Sequence, residues 1–373
     1  MNKNPFRYGK VVDTPYFINR KDEIRQMTSS LQAGQSMIIY SPRRYGKTSL
    51  VSKVLKVLKA KGYHTIYLDF FRINSAQKFI EEYYKQIILQ YTPWEKALKK
   101  FSSLVRGIKP MVTLNNAGIP EFSFQITDQT LTTTLAEIID LPQKISGNKK
   151  WIVVFDEFQD INKLNGENFE KEMRSLIQFH TSVSYVFLGS KRHLLLNMFT
   201  RQNRAFYNFG KLIELQKIPA TEMSRFITAG FKSTIGVIER ELCLRLINYC
   251  DNIPYYIQYL ASEFWDVCIE KNDTPSSGLL NEALARLIIN QSEYFANLFE
   301  ILTPYQQKVL EAITVENKNI FTKEYNKRHH LSANSSTQRA IKKLLEKEIL
   351  EKTENTFSFS DPFFKKWLEE NIL

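Results

Sequence analysis

Met37-Ile38-Ile39-Tyr40-Ser41-Pro42-Arg43-Arg44-Tyr45-Gly46-Lys47-Thr48-Ser49-Leu50 is the stretch whose reading decides the fold. Its first four residues form a short, β-prone apolar run, the pattern of a buried strand. Ser41 to Gly46 breaks that run, with Pro42 and Gly46 as punctuation. Beyond the break Leu50, Val51, Val54, Leu55 and Leu58 recur on one helical face, and Gly62 stands where that helix should stop.

Strand, turn and amphipathic helix in this order give Ser41 to Thr48 the context of a phosphate-cradling loop. The run is one residue short of the pattern G-x-x-x-x-G-K-[ST], because Ser41 replaces the first glycine. In such a loop, backbone N–H groups and the helix N-terminus meet phosphate oxygens. Gly46 lets the backbone come close, Lys47 reaches the β and γ phosphates, and the Thr48 hydroxyl holds Mg²⁺. Pro42, Arg43, Arg44, Tyr45 and Ser49 complete the expected lining. For Arg43 and Arg44, contact with nucleotide or a partner competes with plain solvation.

A second buried strand, Trp151 to Phe155, ends in two acids, Asp156 and Glu157. Following a phosphate loop, the first acid suits the metal shell and the second can polarise an attacking water as general base. Asp160 is a weaker alternative. A switch GTPase would carry Asp-x-x-Gly after this strand and an Asn-Lys-x-Asp base reader, and neither is present. A small-molecule kinase has no need of Glu beside the Asp. Ser190 follows the strand Ser184 to Leu188, where a polar group can orient water or sense the γ-phosphate. Of Arg192, Arg201 and Arg204 beyond it, Arg204 is the choice for stabilising transition-state charge, from its own chain or a neighbouring one.

His64 to Phe70 and Lys211 to Leu215 read as further strands, with helices at Ala76 to Tyr91 and Thr130 to Ile145 between. Strands alternating with helices imply a parallel sheet covered on both faces. Met111 to Leu114 and Glu121 to Ile126, around Asn115-Asn116-Ala117-Gly118, read as an inserted hairpin near 108–127. From Ala220 to about Phe299 only helical periodicity remains, and a new unit begins at Thr303-Pro304. Tyr305 to Ile313, Thr322 to His329 and Ser335 to Lys347 read as helices. Ile349 to Lys352 and Phe357 to Phe359, around Glu354-Asn355, read as a wing.

The 373 residues are too many for one ordinary core, and 43% are hydrophobic. The strands, the phosphate loop and the helical periodicity make the expected fold class α/β: a P-loop NTPase parallel sheet with helices on both faces, then a helical region, which a family resemblance makes a helical lid, then a winged helix-turn-helix domain. The corresponding divisions are 1–216, 217–300 and 301–373. No apolar run approaches the ~18 residues of a membrane helix, so no membrane contact is expected. Met1 to Lys10 lacks the apolar core of a secretory signal. Cys243, Cys250 and Cys268 have no metal-type spacing. Cys243 and Cys250, seven apart, fall on one helix face as buried small hydrophobes, which suits a reducing, cytoplasmic setting. Met1 to Gly62 carries 13 Lys and Arg against 3 Asp and Glu, a positive field that suits a nucleoside triphosphate as well as DNA.

Together these residues resemble the archaeal-type ATPase family of the STAND and AAA-like superfamily, over nearly the whole chain. Asn4-Pro5-Phe6-Arg7-Tyr8-Gly9-Lys10-Val11-Val12 and Phe17-Ile18-Asn19-Arg20-Lys21-Asp22-Glu23 resemble the segment that packs on the base. Ser41 to Leu50 is similar to the family's Pro-Arg-Arg-x-Gly-Lys-Thr loop, where a start other than glycine is tolerated. Trp151 to Asp160 matches its metal strand and Gly189-Ser190 its sensor position. Asn252-Ile253-Pro254-Tyr255-Tyr256 resembles a Gly-x-Pro element that approaches nucleotide, with Asp or Asn, which tolerates the left-handed conformation, at the glycine. Asp361 to Trp367 is similar to the family's ending. The resemblance implies ATP and Mg²⁺ as cofactors, adds Arg20 and Pro254 to the nucleotide-binding residues, and makes hydrolysis to ADP and phosphate the expected reaction.

The winged helix offers a surface for DNA or a protein partner. Ser335, Ser336, Gln338, Arg339, Lys342 and Lys343 would face a major groove. The helix pair Thr322 to Lys347 has seven basic residues against two acidic, but Ile301 to Leu373 as a whole has 12 against 10. That balance leaves DNA binding and packing as even alternatives. Three functions remain open: a nucleotide-gated switch relayed through the winged helix, an ATP-regulated DNA-binding protein resembling replication initiators, and a scaffold holding ATP without turnover. Oligomeric state is open too, and with it whether Arg204 acts in cis or in trans.

Overall fold

The computed structural model describes residues 3–12, 16–105, 109–114, 120–125, 131–164, 166–353 and 356–373. Contacts divide the chain into two compact units. A sheet unit comprises 20–41 and 47–216, and a helical unit comprises 1–19, 42–46 and 217–373.

The strands of the sheet unit are β1 Met37–Tyr40, β2 His64–Asp69, β3 Lys109–Leu114, β4 Pro120–Gln125, β5 Trp151–Asp156, β6 Val183–Gly189 and β7 Lys211–Glu214. Five of them form one parallel sheet in the order β2-β5-β6-β1-β7. Central β5 and β6 are buried at every residue, which is why Trp-Ile-Val-Val-Phe-Asp and Val-Ser-Tyr-Val-Phe-Leu-Gly show no alternation. Helices flank the sheet: Lys21–Gln32 packs against Lys47–Ala60, while Ala76–Ile88, Leu131–Ile145 and Gly166–Ile177 pack in sequence against one another. This is the expected parallel α/β arrangement. Helix Lys47–Ala60 ends as the sequence implies: Gly62 takes φ +89° and the Tyr63 N–H closes on the Leu58 carbonyl.

β3 and β4 form a separate antiparallel pair, with Lys109 opposite Gln125 and Leu114 opposite Pro120. Both strands start earlier than expected, since a two-stranded ribbon accommodates Pro110 and Pro120 at its edges. The expected turn Asn115 to Gly118 and the end of the second strand at Ile126 lie outside the described residues.

In the helical unit, Ala220–Lys232, Arg240–Tyr249, Pro254–Lys271 and Ser277–Glu300 precede Pro304–Val315, Lys323–Arg328 and Asn334–Glu346. An antiparallel pair, β8 Leu350–Thr353 and β9 Thr356–Phe359, and the helix Pro362–Asn371 complete it. The expected wing turn Glu354-Asn355 lies outside the described residues. Thr303 and Gln306 form a reciprocal capping box that spans Pro304, so the new unit starts on strong local chemistry. Asp251 and Asn252 take φ +48° and +54°, so both occupy the left-handed region that the glycine of the resembled element would supply. Helix Arg240–Tyr249 is capped by Cys250, and Cys243 and Cys250 are buried in the same apolar core. All three cysteines are free and buried. Among the described residues no helix is long and apolar enough to cross a membrane.

The opening residues lie on helix Pro254–Lys271. Asn4 donates to Ser262 and Asp266, the Arg7 N–H donates to Gln258, and Tyr8 stacks on Tyr259. Phe6 is buried between Phe226 and Phe231. A Cβ on Gly230 would come within 2.8 Å of the Phe6 ring, so that glycine makes the ring's seat. Phe6→Ala should lower unfolding stability by about 3 kcal/mol, the usual cost of a deleted buried ring. Gly230→Ala should destabilise the wild-type chain despite alanine's better helix propensity, yet be neutral or stabilising in the Phe6→Ala background. Urea unfolding of the four proteins checks both.

Candidate functional site

The site is assembled where strands β1, β5 and β6 end. Beyond β1, Ser41 is fully buried. Arg44 and Gly46 then turn the chain with φ +69° and +88°. Gly46 adopts this without a steric cost, and Arg44 does so while its carbonyl accepts from the Tyr255 N–H at 3.4 Å. Lys47 opens the next helix and folds back: its Nζ donates to the Ser41 carbonyl at 2.7 Å and to the Ser41 hydroxyl at 3.3 Å. The residue that departs from the glycine pattern thus supplies two acceptors to the lysine. Ser49 lies buried in the same first turn.

β5 delivers Asp156. Its Oδ2 accepts from the Tyr67 hydroxyl and, at 3.3 Å, from the Thr48 hydroxyl, while its Oδ1 accepts the Glu157 N–H at 2.9 Å. Burial pushes the Asp156 carboxyl up, and the neighbouring Glu157 charge adds to this against the Tyr67 hydrogen bond. Burial and Asp156 also push the Tyr67 phenol up, so it stays a donor.

Glu157 sits just past the strand with φ +49°. Its Oε2 accepts from Gln159 Nε2 at 2.6 Å, Ser190 Oγ at 2.8 Å and the Ser190 N–H at 3.2 Å. Burial would raise this carboxyl, but the Gln159 and Ser190 hydrogen bonds and the Lys47 charge outweigh it, and the net shift is downward. Two adjacent acids are therefore pushed in opposite directions by their surroundings.

Lys47, Thr48, Asp156, Glu157 and Ser190 are thus brought together as the sequence implies. The other expected residues make contacts of their own. Arg20 is buried and pairs with Glu23 at 2.8 Å. Tyr45 is in the apolar core of the helical unit, and Pro254 is the first residue of the helix Pro254–Lys271. Arg43 pairs with Glu348 at 2.9 Å and Arg44 with Asp361 at 3.1 Å, both partners belonging to the helical unit, as does Pro42. Arg204 grips Glu170, with Nε to Oε1 at 3.2 Å and Nη2 on Oε2, and reaches Glu167 at 3.5 Å. Sequence reasoning misses Tyr67 and Gln159: one is a single tyrosine in an alternating strand, and the other follows the acids without belonging to any pattern that names it.

Comparisons with known proteins place the chain in a family. A family model described as an ATPase domain predominantly from Archaea matches residues 17–260. The chain belongs to that family. A model described as a probable winged helix domain matches residues 293–370. An uncharacterized ATP-binding protein of Methanocaldococcus jannaschii is 29% identical over 182 residues, 45% of this chain and 46% of that protein. The match therefore spans a little under half of that relative. Among solved structures, a Walker-type ATPase of Pyrococcus abyssi superposes with TM-score 0.68 at 16% identity, over 98% of this chain and 99% of that one. The ORC2 protein of Aeropyrum pernix gives 0.58 at 15%, over 98% and 96%. The ORC1 protein of the same organism, in complex with DNA, gives 0.52 at 13%, over 98% and 97%. At these identities the likeness to this archaeal ATPase and to the ORC proteins is one of fold.

Glu170 is 1% exposed, so removing its cation would leave a buried charge alone. Arg204→Ala should cost about 3 kcal/mol of stability, the usual result of breaking a buried pair from one side. Adding Glu170→Gln should recover part of it. Chemical denaturation of the single and double variants decides: an Arg204→Ala protein as stable as wild type would remove this structural role.

Proposed function

We propose that the chain binds ATP with Mg²⁺ and hydrolyses it to ADP and phosphate, and that the nucleotide state is relayed to the winged helix through the phosphate loop. One observation carries the relay: the loop's two arginines, Arg43 and Arg44, pair with Glu348 and Asp361 of the C-terminal unit. Arg44 also lies over the rings of Tyr256 and Tyr255, and the Tyr256 hydroxyl donates to the Ser360 carbonyl. Asp361 caps the last helix by accepting from the Phe363 and Phe364 N–H groups. A triphosphate drawing Arg44 towards itself would take from Asp361 its cation and alter the start of that helix. The boundaries 216/217 and 300/301 serve as working divisions for the parts so coupled.

The chain's own residues have defined tasks in this reading. Lys47 exchanges its Ser41 acceptors for β and γ phosphate oxygens. Thr48 and Asp156, two hard oxygen donors already within hydrogen-bond distance of each other, would hold Mg²⁺, which neutralises phosphate charge when bound. Glu157, ionised and held at one carboxylate oxygen by Gln159 and Ser190, takes the water proton or orients the water for in-line attack. Arg204, engaged with Glu170, serves as a structural cation, and the transition-state charge falls to Lys47. Arg20 and Pro254 remain proposed members of the nucleotide lining.

Glu157→Gln should retain ATP binding while its turnover falls by about 10² or more, the scale of general-base loss. Calorimetric binding with a phosphate-release assay checks this, and binding without turnover in the wild type would leave a nucleotide-holding scaffold. Arg44→Ala and Asp361→Asn should each leave Mg²⁺-ATP binding measurable.

A second reading, regulated DNA binding, is favoured by the helix Asn334–Glu346, whose Gln338, Arg339, Lys342 and Lys343 are exposed opposite a buried Thr337, Ala340, Ile341 and Leu344. Arg339→Ala with Lys342→Ala should weaken binding to duplex DNA about equally across sequences. The salt dependence should become shallower by about one unit for each phosphate that the variant no longer neutralises. Unchanged binding would exclude this face.

A further inference from the structure

Gln159 is 4% exposed and sits in the short helix Phe158–Leu164 directly after the acids. Its Nε2 donates to Glu157 Oε2 at 2.6 Å. Only the amino end of a carboxamide can face an ionised carboxylate, so the amide's orientation is fixed and its Oε1 must turn away. That Oε1 is buried and has no hydrogen-bond partner among the described residues, a state that polar atoms seldom keep without compensation. It abuts Gly189, where a Cβ would lie only 2.4 Å from it. Gly189 therefore leaves the room that lets Gln159 reach Glu157.

The same carboxylate oxygen also receives Ser190 Oγ and the Ser190 N–H. Three donors from two directions converge on Oε2: one from the segment after β5, two from the end of β6. Glu157 meanwhile holds φ +49°, a left-handed conformation that a residue other than glycine keeps only where its surroundings over-determine it. Such fixing concentrates at atoms whose placement matters to chemistry.

We propose that Gln159 is a positioning residue for Glu157: with Ser190 it pins one carboxylate oxygen so that the other is presented to the water that attacks the γ-phosphate. The inference rests on the reading of Glu157 as the group that activates that water. The effect of Gln159 passes through Glu157, the group its side chain contacts. Gly189 and Gln159 act as a pair, the glycine by its missing side chain.

The test uses Gln159→Met, which keeps the volume and loses the donor, and Gly189→Ala, which keeps the glutamine but drives its flexible end off Glu157. Leu195 lies within 3.1 Å of the added methyl, so thermal unfolding is measured on both variants. Each should lose about tenfold to a hundredfold in kcat, as expected for a displaced reacting group, with the ATP dissociation constant moved by less than about twofold. A filler role would leave kcat at saturating ATP untouched and move stability alone. If Glu157→Gln is inactive while both folded variants keep or raise the wild-type kcat, the proposal is overturned and the reading of Glu157 stands. If wild type shows no turnover, or Glu157→Gln matches it, the reading itself has failed and the proposal goes with it.

Discussion

Phe155 and Phe158 are both buried in one aromatic cluster, stacked on each other and packed with Tyr185 and Phe187. The two residues between them are acids, Asp156 buried at the strand's end and Glu157 half-buried beyond it, and neither joins the aromatic cluster. Asp156 stays at the strand's end beside the start of the helix Lys47–Ala60, and Glu157 swings into a left-handed turn towards β6. Burial of the two phenylalanines thus sets the geometry of both carboxylates. The rest of the site is arranged around them: a tyrosine and a threonine on one, a glutamine and a serine on the other.

The opposite shifts of the two acids follow from that arrangement. Asp156 has burial and a like charge against it, with the Tyr67 hydroxyl partly compensating. Glu157 is also buried but receives enough donors to end below its ordinary value. Neighbouring groups whose environments separate their proton affinities are a recurrent mark of divided labour in a site. Here the division matches chemistry in which one acid shares a shell with Thr48 and the other is kept anionic and aimed.

Much of this is legible from the chain, for a physical reason: the informative signals are local. A buried parallel strand must be apolar throughout, so Trp151 to Phe155 announces itself, and the acids at its end stand out against it. The Gly62 stop and the Thr303-Pro304 start are local too, and Asn252 reads as a left-handed residue because its side chain tolerates that conformation. What stays illegible depends on pairs far apart in sequence. Arg44 and Asp361 are 317 positions apart, and Tyr67 and Asp156 are 89 apart. Arg204 has the position of a catalytic arginine, but nothing near it in sequence reveals that Glu170 is buried and needs a cation. Gln159 stands in plain view beside the acids, yet its task exists only because Gly189, on the adjacent strand, has no side chain.

The central claim is that the phosphate loop and the C-terminal helix answer to the same bound nucleotide. Hydrogen–deuterium exchange of Glu157→Gln protein, with and without saturating Mg²⁺-ATP, tests it most directly. The account predicts altered protection in two places at once, the phosphate loop at 41–49 and the start of the last helix at 361–366. The change at 361–366 should disappear when Arg44 is replaced by alanine. Protection gained at 41–49 with no change at 361–366 in the Arg44-containing protein would contradict it.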